Sequence, residues 1–171
     1  TLSIMCSFCY AMMQEPQERP AIKEKDALNL LDDFAKIGVR GVSLISDGES
    51  TLSKVYVPFI KHASKLGIDV GNATNGWEWG PEKIEQVLPH LTWVRFTVAA
   101  GKPESYAKIM YKGPEHVEVF DRAMSHIKYA VDLKERKKLK CTLGIQMVLM
   151  PEFKEEIIPF AKLAVELGVD Y

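Results

Sequence analysis

The chain has little cysteine: only Cys6, Cys9 and Cys141 in 171 residues. They are too few and too unevenly spaced for a disulfide framework, so a reducing compartment, the cytoplasm, is the expected setting. No charge sign dominates, because 22 Lys and Arg stand against 23 Asp and Glu, a formal charge of −1. Such a balance offers no basic patch to nucleic acid or to an anionic membrane surface. No apolar run approaches the ~18 residues that a transmembrane helix needs. Neither G-x-G-x-x-G nor G-x-x-x-x-G-K-[ST] occurs, which removes the simple nucleotide-binding readings. His62, His90, His116 and His126 lack zinc-finger spacing and read as surface or hydrogen-bonded residues.

What is present is an ordinary globular composition, 47% hydrophobic and 26% charged, in a chain long enough to bury a core as one domain. The chain opens at Thr1 without a Met. It stops inside Gly168-Val169-Asp170-Tyr171, which reads as the opening of a strand. The expectation is therefore a single domain over residues 1–171, incomplete at both ends.

One pattern repeats along the chain. An amphipathic helix ends in Gly and a β-rich run follows at once: Gly38 before Val39, Gly67 before Ile68, Gly168 before Val169. Gly just past a helix takes the left-handed conformation that stops it. Helices are expected near 24–37 (Leu28, Leu31, Phe34, Ala35 on one face), near 54–66 (Val55, Phe59, Ala63, Leu66) and from Pro81. Two more are expected near 115–137 (Val117, Phe120, Met124, Ile127, Val131) and 153–167, the last with an irregular first turn at Pro159. Strands are expected near 39–46, 68–74, 92–98 and 141–149. Alternating strand and helix implies α/β architecture, with parallel strands, right-handed crossovers and a site at the carboxyl ends of the strands. Those ends carry Ser46-Asp47-Gly48-Glu49-Ser50-Thr51, Asn72-Ala73-Thr74-Asn75-Gly76 and Thr97-Val98-Ala99-Ala100-Gly101-Lys102. A whole (β/α)8 barrel needs roughly 250 residues, so the fold class is a partial TIM-like barrel.

Cys6-Ser7-Phe8-Cys9-Tyr10 places two thiols two residues apart, a spacing that grips one soft metal centre. Two buried inert cysteines would satisfy the same spacing, as would a zinc site shared between chains. The segment resembles the end of the radical S-adenosylmethionine (radical SAM) motif, C-x3-C-x2-C, with its aromatic residue before the last Cys. Asp47-Gly48-Glu49-Ser50-Thr51-Leu52 is similar to that family's G-G-E-P-T-L after the second strand, and Thr74-Asn75-Gly76 to the T-N-G after the third. Trp93-Val94-Arg95-Phe96-Thr97 resembles the fourth-strand V-R-x-S segment, and Leu143-Gly144-Ile145-Gln146-Met147-Val148 the fifth-strand segment along the adenine. Each motif is short, but five stand in order along the βα repeat, so the resemblance spans nearly the whole chain.

The resemblance implies part of a (β/α)6 radical SAM core, an enzyme that uses a [4Fe–4S] cluster and S-adenosylmethionine. Reductive cleavage of the sulfonium would yield a 5′-deoxyadenosyl radical that abstracts hydrogen from a substrate. It implies Cys6 and Cys9 as cluster ligands and Phe8 as the residue that sets the loop near the adenine. Asp47, Gly48 and Glu49 would meet the methionyl amino group, with Asn75 beside them. Arg95 and Thr97 would hold the carboxylate or ribose, a guanidinium suiting a carboxylate by its paired donors. Gln146, Met147 and Val148 would flank the adenine. The implied partners are an electron donor such as flavodoxin or ferredoxin and a peptide, protein or small-metabolite substrate. Met150-Pro151-Glu152-Phe153 leans towards peptide or protein modification.

The sequence departs from the family pattern at four places. The first cluster cysteine would fall on Leu2, so either that ligand lies upstream with a longer spacer or the barrel is a degenerate, cluster-free binding scaffold. Asp47 stands for Gly, Ser50 for Pro, and Ala99-Ala100 where many relatives carry Asp.

Plainer roles are open for several residues. Glu49 suits a helix first turn, Asn75-Gly76 suits a turn, and Arg95 needs an anion that Glu49 could supply. Trp77 and Trp79 suit either a substrate wall or a packed loop, Cys141 suits the core, and Lys134–Lys138 suit a helix end.

Overall fold

The computed structural model describes residues 6–9, 21–46, 48–111 and 116–171. Asp47 and the residues before Cys6 lie outside the described residues, and so does the start of the helix expected from residue 115.

Among the described residues four strands, β1 (Gly41–Leu44), β2 (Asp69–Thr74), β3 (Trp93–Thr97) and β4 (Thr142–Gln146), form one sheet in the order β1-β2-β3-β4. Every neighbouring pair is parallel, as the alternation of strand and helix predicts. The helices are α1 (Glu24–Lys36), α2 (Tyr56–Lys65), α3 (Pro81–Val87), α4 (Pro103–Tyr111), α5 (Glu118–Lys137) and α6 (Ile157–Leu167). Short 3-10 turns occupy Ser50–Leu52, Leu88–His90 and Pro151–Glu156.

The helix stops behave as the Gly pattern predicts. Gly38, Gly67 and Gly168 have φ of 83°, 73° and 73°, in the left-handed region. The end of α5 departs from it: Lys138 takes φ 53° there without a glycine. The stripe on α5 is deeper than four or five residues, since Phe120, Ala123, Met124, Ile127, Ala130, Val131 and Leu133 are all buried, whereas Val117 precedes the helix and is exposed. The expected helix over 153–167 begins as a 3-10 turn and becomes α-helical at Ile157, with Pro159 in the first turn where its missing N–H costs little. Helix α4 has no counterpart among the helices that the sequence pattern predicts. Its apolar residues Tyr106, Ile109 and Met110 are buried, but nine residues are too few to establish a period.

The sheet has two unlike faces. Val70, Val94, Phe96, Leu143 and Ile145 face the helices and join Leu31, Ile60, Ile84 and Ile127 in the core. Each such fully buried side chain contributes about 2 kcal/mol. The opposite face runs in rows set by the register. Ser43, Gly71, Trp93 and Thr142 form one row; Ala73, Arg95 and Gly144 form the next; Thr97 and Gln146 form the third. Trp93, Arg95 and Thr97 are half-buried while Val94 and Phe96 are fully buried, the alternation that strand geometry dictates. Trp93 lies across Gly71, where a Cβ would stand 2.1 Å from its ring.

The last residues extend the sheet beyond β4. The Asp170 amide donates to Leu143 O at 2.8 Å and the Ile145 amide to Tyr171 O at 3.0 Å, as the strand-like ending predicts. Asp170 Oδ2 also accepts from the Leu143 amide at 2.7 Å. Burial pulls its carboxyl up, but the Leu143 amide and the Lys134 ammonium outweigh that and hold it below its ordinary value.

Candidate functional site

The loops after the four strands meet at one end of the sheet. Glu49, at the cap of the Ser50–Leu52 turn, joins the first two. Its Oε1 accepts from Thr51 N (3.2 Å), Thr51 Oγ1 (2.8 Å) and Thr74 Oγ1 (2.8 Å). Its Oε2 accepts from the Asn75 amide at 2.9 Å. The residue therefore caps its own turn, as a first-turn acid would, and also grips the loop after β2. A carboxylate oxygen has two acceptor positions, so Oε2 keeps one for a further donor.

Lys83, on α3, straps the same two loops from the helix side. Its ammonium donates to Thr51 O at 2.7 Å and to Glu78 O at 3.1 Å. The turn after β2 is fixed in itself. Gly76 has φ 76° and donates to Thr74 Oγ1 at 3.1 Å, and Asn75 Oδ1 accepts from the Trp77 amide at 2.8 Å. Helix α5 backs it: His126 Nδ1 donates to Gly76 O at 2.8 Å, and the Arg122 guanidinium lies 4.4 Å from the centre of the Trp77 ring. Trp79 is fully buried against Phe96, so it is a packed residue. The other histidines also have partners, His62 with Asp32 and His90 with Ser64. Cys141 is buried in the core.

The Cys6–Cys9 turn sits against α4. The Ser7 amide donates to Ile109 O at 2.9 Å, the Cys9 amide to Cys6 O at 3.1 Å, and Cys6 Sγ lies 3.6 Å from Met110 Sδ. Both thiols are free and half-buried, and Phe8 packs on the core beside them. Burial pushes the Cys6 thiol up to about 12, with Cys9 and the nearby Glu49 charge adding to the shift. A thiolate at this place needs a cation to stabilise it, which a bound metal centre supplies. The described residues thus fit two thiolate ligands of a cluster. Among them no group of three His, Cys, Asp or Glu side chains is arranged to hold a metal ion.

Arg95 lies in the row between Ala73 and Gly144. Its Nε is buried without a hydrogen-bond partner. The four donors to Glu49 come from Thr51, Thr74 and Asn75, so the expected Glu49–Arg95 pairing is not what satisfies Glu49. Ala73 is small on one side of Arg95, whereas the Tyr171 ring covers Gly144 on the other, where a Cβ would stand 2.3 Å from it. One row on, Thr97 and Gln146 are neighbours, and the Val98 amide donates to Gln146 O at 2.8 Å. Met147 is half-buried and Val148 exposed. Of the expected site residues, Cys6, Phe8, Cys9, Gly48, Glu49, Asn75, Arg95, Thr97, Gln146, Met147 and Val148 lie on the Cys turn, on the sheet face or on the strand-end loops. Asp47 lies outside the described residues. A cavity of about 350 Å³ shares Gly48, Glu49 and Ser50 with this end, and the rest of its lining is mostly apolar, including Leu44, Ala27 and Phe59, with Ser46 and Ser53 among them.

Two residues that no motif flagged organise the site: Lys83, and Glu156 at the end of the 3-10 turn after β4. Glu156 accepts from the Gly101 and Lys102 amides and from Ser105 Oγ. Neither position carries a sequence signal beyond its charge.

The sequence profile described as the Radical SAM superfamily matches residues 3–164. Among solved structures, Streptococcus suis SuiB superposes with a TM-score of 0.74 at 21% identity, over 99% of this chain and 36% of that one. SuiB bound to S-adenosylmethionine gives 0.73 at 20%, over 99% and 36%. TYW1 with a lysine-pyruvate adduct bound gives 0.69 at 18%, over 98% and 58%. The chain thus spans about a third of SuiB and somewhat over half of TYW1. At such identities the likeness is one of fold, a partial parallel α/β barrel. Among curated proteins no match is found.

Proposed function

Because the chain belongs to the radical SAM superfamily, we propose that it forms the core of an enzyme that binds a [4Fe–4S] cluster and S-adenosylmethionine and acts on a substrate by hydrogen abstraction. The observation that carries this reading is the pair of half-buried thiols two residues apart, on a turn held against α4, in a chain whose first two strand-end loops are joined by Glu49. When bound, the pair would supply one-electron cleavage of the sulfonium for hydrogen abstraction, with the electron coming from a donor such as flavodoxin or ferredoxin.

The chain's own residues bind and orient. Cys6 and Cys9 are two of the cluster's thiolates. Glu49 offers the open position on Oε2 to the methionyl ammonium, with Asp47, Gly48 and Asn75 on the loops beside it. Arg95 meets the methionyl carboxylate, which satisfies its buried Nε. Thr97 holds the ribose. Gln146, Met147 and Val148 flank the adenine, and Phe8 closes the cluster loop over the core. The whole of residues 1–171 acts as one domain of this enzyme. A peptide or protein substrate is favoured over a small metabolite by the structure of SuiB bound to the precursor peptide SuiA, which superposes at a TM-score of 0.74 and 20% identity.

A second reading is a cluster-free binding scaffold, favoured by two described thiols where a cluster of this family takes three. One experiment separates them. After anaerobic reconstitution with iron and sulfide, the protein should hold close to four irons, absorb broadly near 400 nm, and release 5′-deoxyadenosine from S-adenosylmethionine when reduced (about these values by the cofactor's own chemistry). Cys6→Ala and Cys9→Ala should each lose the iron and the product. Iron content unchanged in both variants would sink the assignment of ligands, zinc in its place would make the site structural, and no metal at all would favour the scaffold.

A further inference from the structure

Among the described residues Glu156 is the one buried acidic side chain, 4% exposed. Nothing in the reading above uses it. Burying a carboxylate is costly unless donors surround it, and here they do. Its Oε2 accepts from the Gly101 amide at 3.0 Å and the Lys102 amide at 3.1 Å, and its Oε1 accepts from Ser105 Oγ at 2.7 Å. Lys102 Nζ stands 3.9 Å away. The amides belong to the loop that follows β3 and to the start of α4, a helix end that favours negative charge. The carboxylate belongs to the far end of the 3-10 turn that follows β4. Glu156 thus ties the loop after one strand to the loop after the next, across a separation of 55 residues.

The tie is tight along its length. A Cβ on Gly101 would lie 2.2 Å from the Pro159 carbonyl carbon and 2.3 Å from the Phe160 nitrogen, so the two backbones are in direct contact. Val98, Ala99 and Ala100 between β3 and this contact are fully buried. The loop after β3 therefore has no freedom to shift on its own.

We infer that Glu156 is a positioning residue for the nucleoside half of S-adenosylmethionine. Thr97 ends β3 four residues before Gly101, and Gln146, Met147 and Val148 leave β4 just before the turn that carries Glu156. These are the residues assigned to ribose and adenine, and the span between them is what the carboxylate holds. The methionyl half is gripped elsewhere, by Glu49, which Glu156 does not touch. The inference rests on the proposed cofactor, and its signature is selective: loss of Glu156 weakens nucleoside binding and spares methionine binding.

The test uses the cluster-loaded protein and two probes, 5′-deoxyadenosine and L-methionine, titrated separately by calorimetry. Glu156→Ala should weaken 5′-deoxyadenosine roughly tenfold, leave methionine within about twofold, and leave the iron content unchanged (on the order of one charge-assisted hydrogen-bond set). Glu156→Gln keeps an acceptor for the two amides and a donor for Ser105, and should restore most of the nucleoside affinity. Hydrogen exchange at the Gly101 and Lys102 amides should rise in the Ala variant and not in the Gln variant. If Glu156→Ala does not fold, Ser105→Ala removes one of the contacts and should weaken the nucleoside a few-fold. Equal weakening of both probes, or none, overturns the inference. Wild-type protein that binds neither probe overturns the cofactor reading itself.

Discussion

The site end of the sheet is built in two halves that are held in different ways. The loops after β1 and β2 are joined by Glu49 and Lys83, both half-buried, with Glu49 at the surface where a ligand would arrive. The loops after β3 and β4 are joined by Glu156, which is buried. In the first half one carboxylate organises the loops and, on the proposed reading, also offers an acceptor to the methionyl group. In the second half the proposed reading divides those duties, giving the nucleoside to Thr97, Gln146, Met147 and Val148 and the holding of their loops to Glu156. The comparison teaches that binding and architecture are inseparable in one half and separable in the other.

Three substitutions sharpen or break that contrast. The largest effect is expected at Gly101, where an added Cβ meets backbone atoms of Pro159 and Phe160 that have nowhere to go. Gly101→Ala should cost about 3 kcal/mol in urea unfolding; an unchanged midpoint would mean the two loops are not in fixed contact. Glu49→Ala comes next. It strands the Thr74 hydroxyl and the Thr51 and Asn75 amides, for about 2 kcal/mol of stability. Affinity for methionine should fall with it, and a variant that kept full methionine affinity would show that Glu49 is architecture alone. The smallest effect is expected from Lys83→Met, about 1 kcal/mol, because its two partners are carbonyls that can turn to water. A loss greater than that of Glu49→Ala, read by the same unfolding curve, would reverse the order of the two straps.

The sequence shows the first half more clearly than the second, for a physical reason. Glu49, Thr74, Asn75 and Gly76 are close to their own strand ends, so short motifs contain them. Glu156 lies ten residues past the end of β4 at Gln146, and its partners sit 51 to 55 residues earlier in the chain. No local pattern encodes such a contact. The same rule separates the elements. Helix α5 is long enough to display its stripe, and the Gly stops of α1, α2 and α6 are local backbone chemistry. Helix α4 buries Tyr106, Ile109 and Met110 but is only two turns long, and Lys138 ends α5 without the residue type that marks the other stops. Alternation along β3 is enough to set Arg95 on the face opposite Val94 and Phe96. That the donors to Glu49 come instead from Thr51, Thr74 and Asn75 is a matter of three-dimensional distance.

The order of the strands in the sheet is also their order in the chain. Among the described residues each strand joins an edge that its predecessor has already made, and none leaves a gap for one still to come. A nascent polypeptide emerging from the ribosome could thus add one helix-backed strand at a time, closing each loop over a few tens of residues. The energetic debt of pairing distant segments, which slows many parallel sheets, is spread here over successive small steps of synthesis.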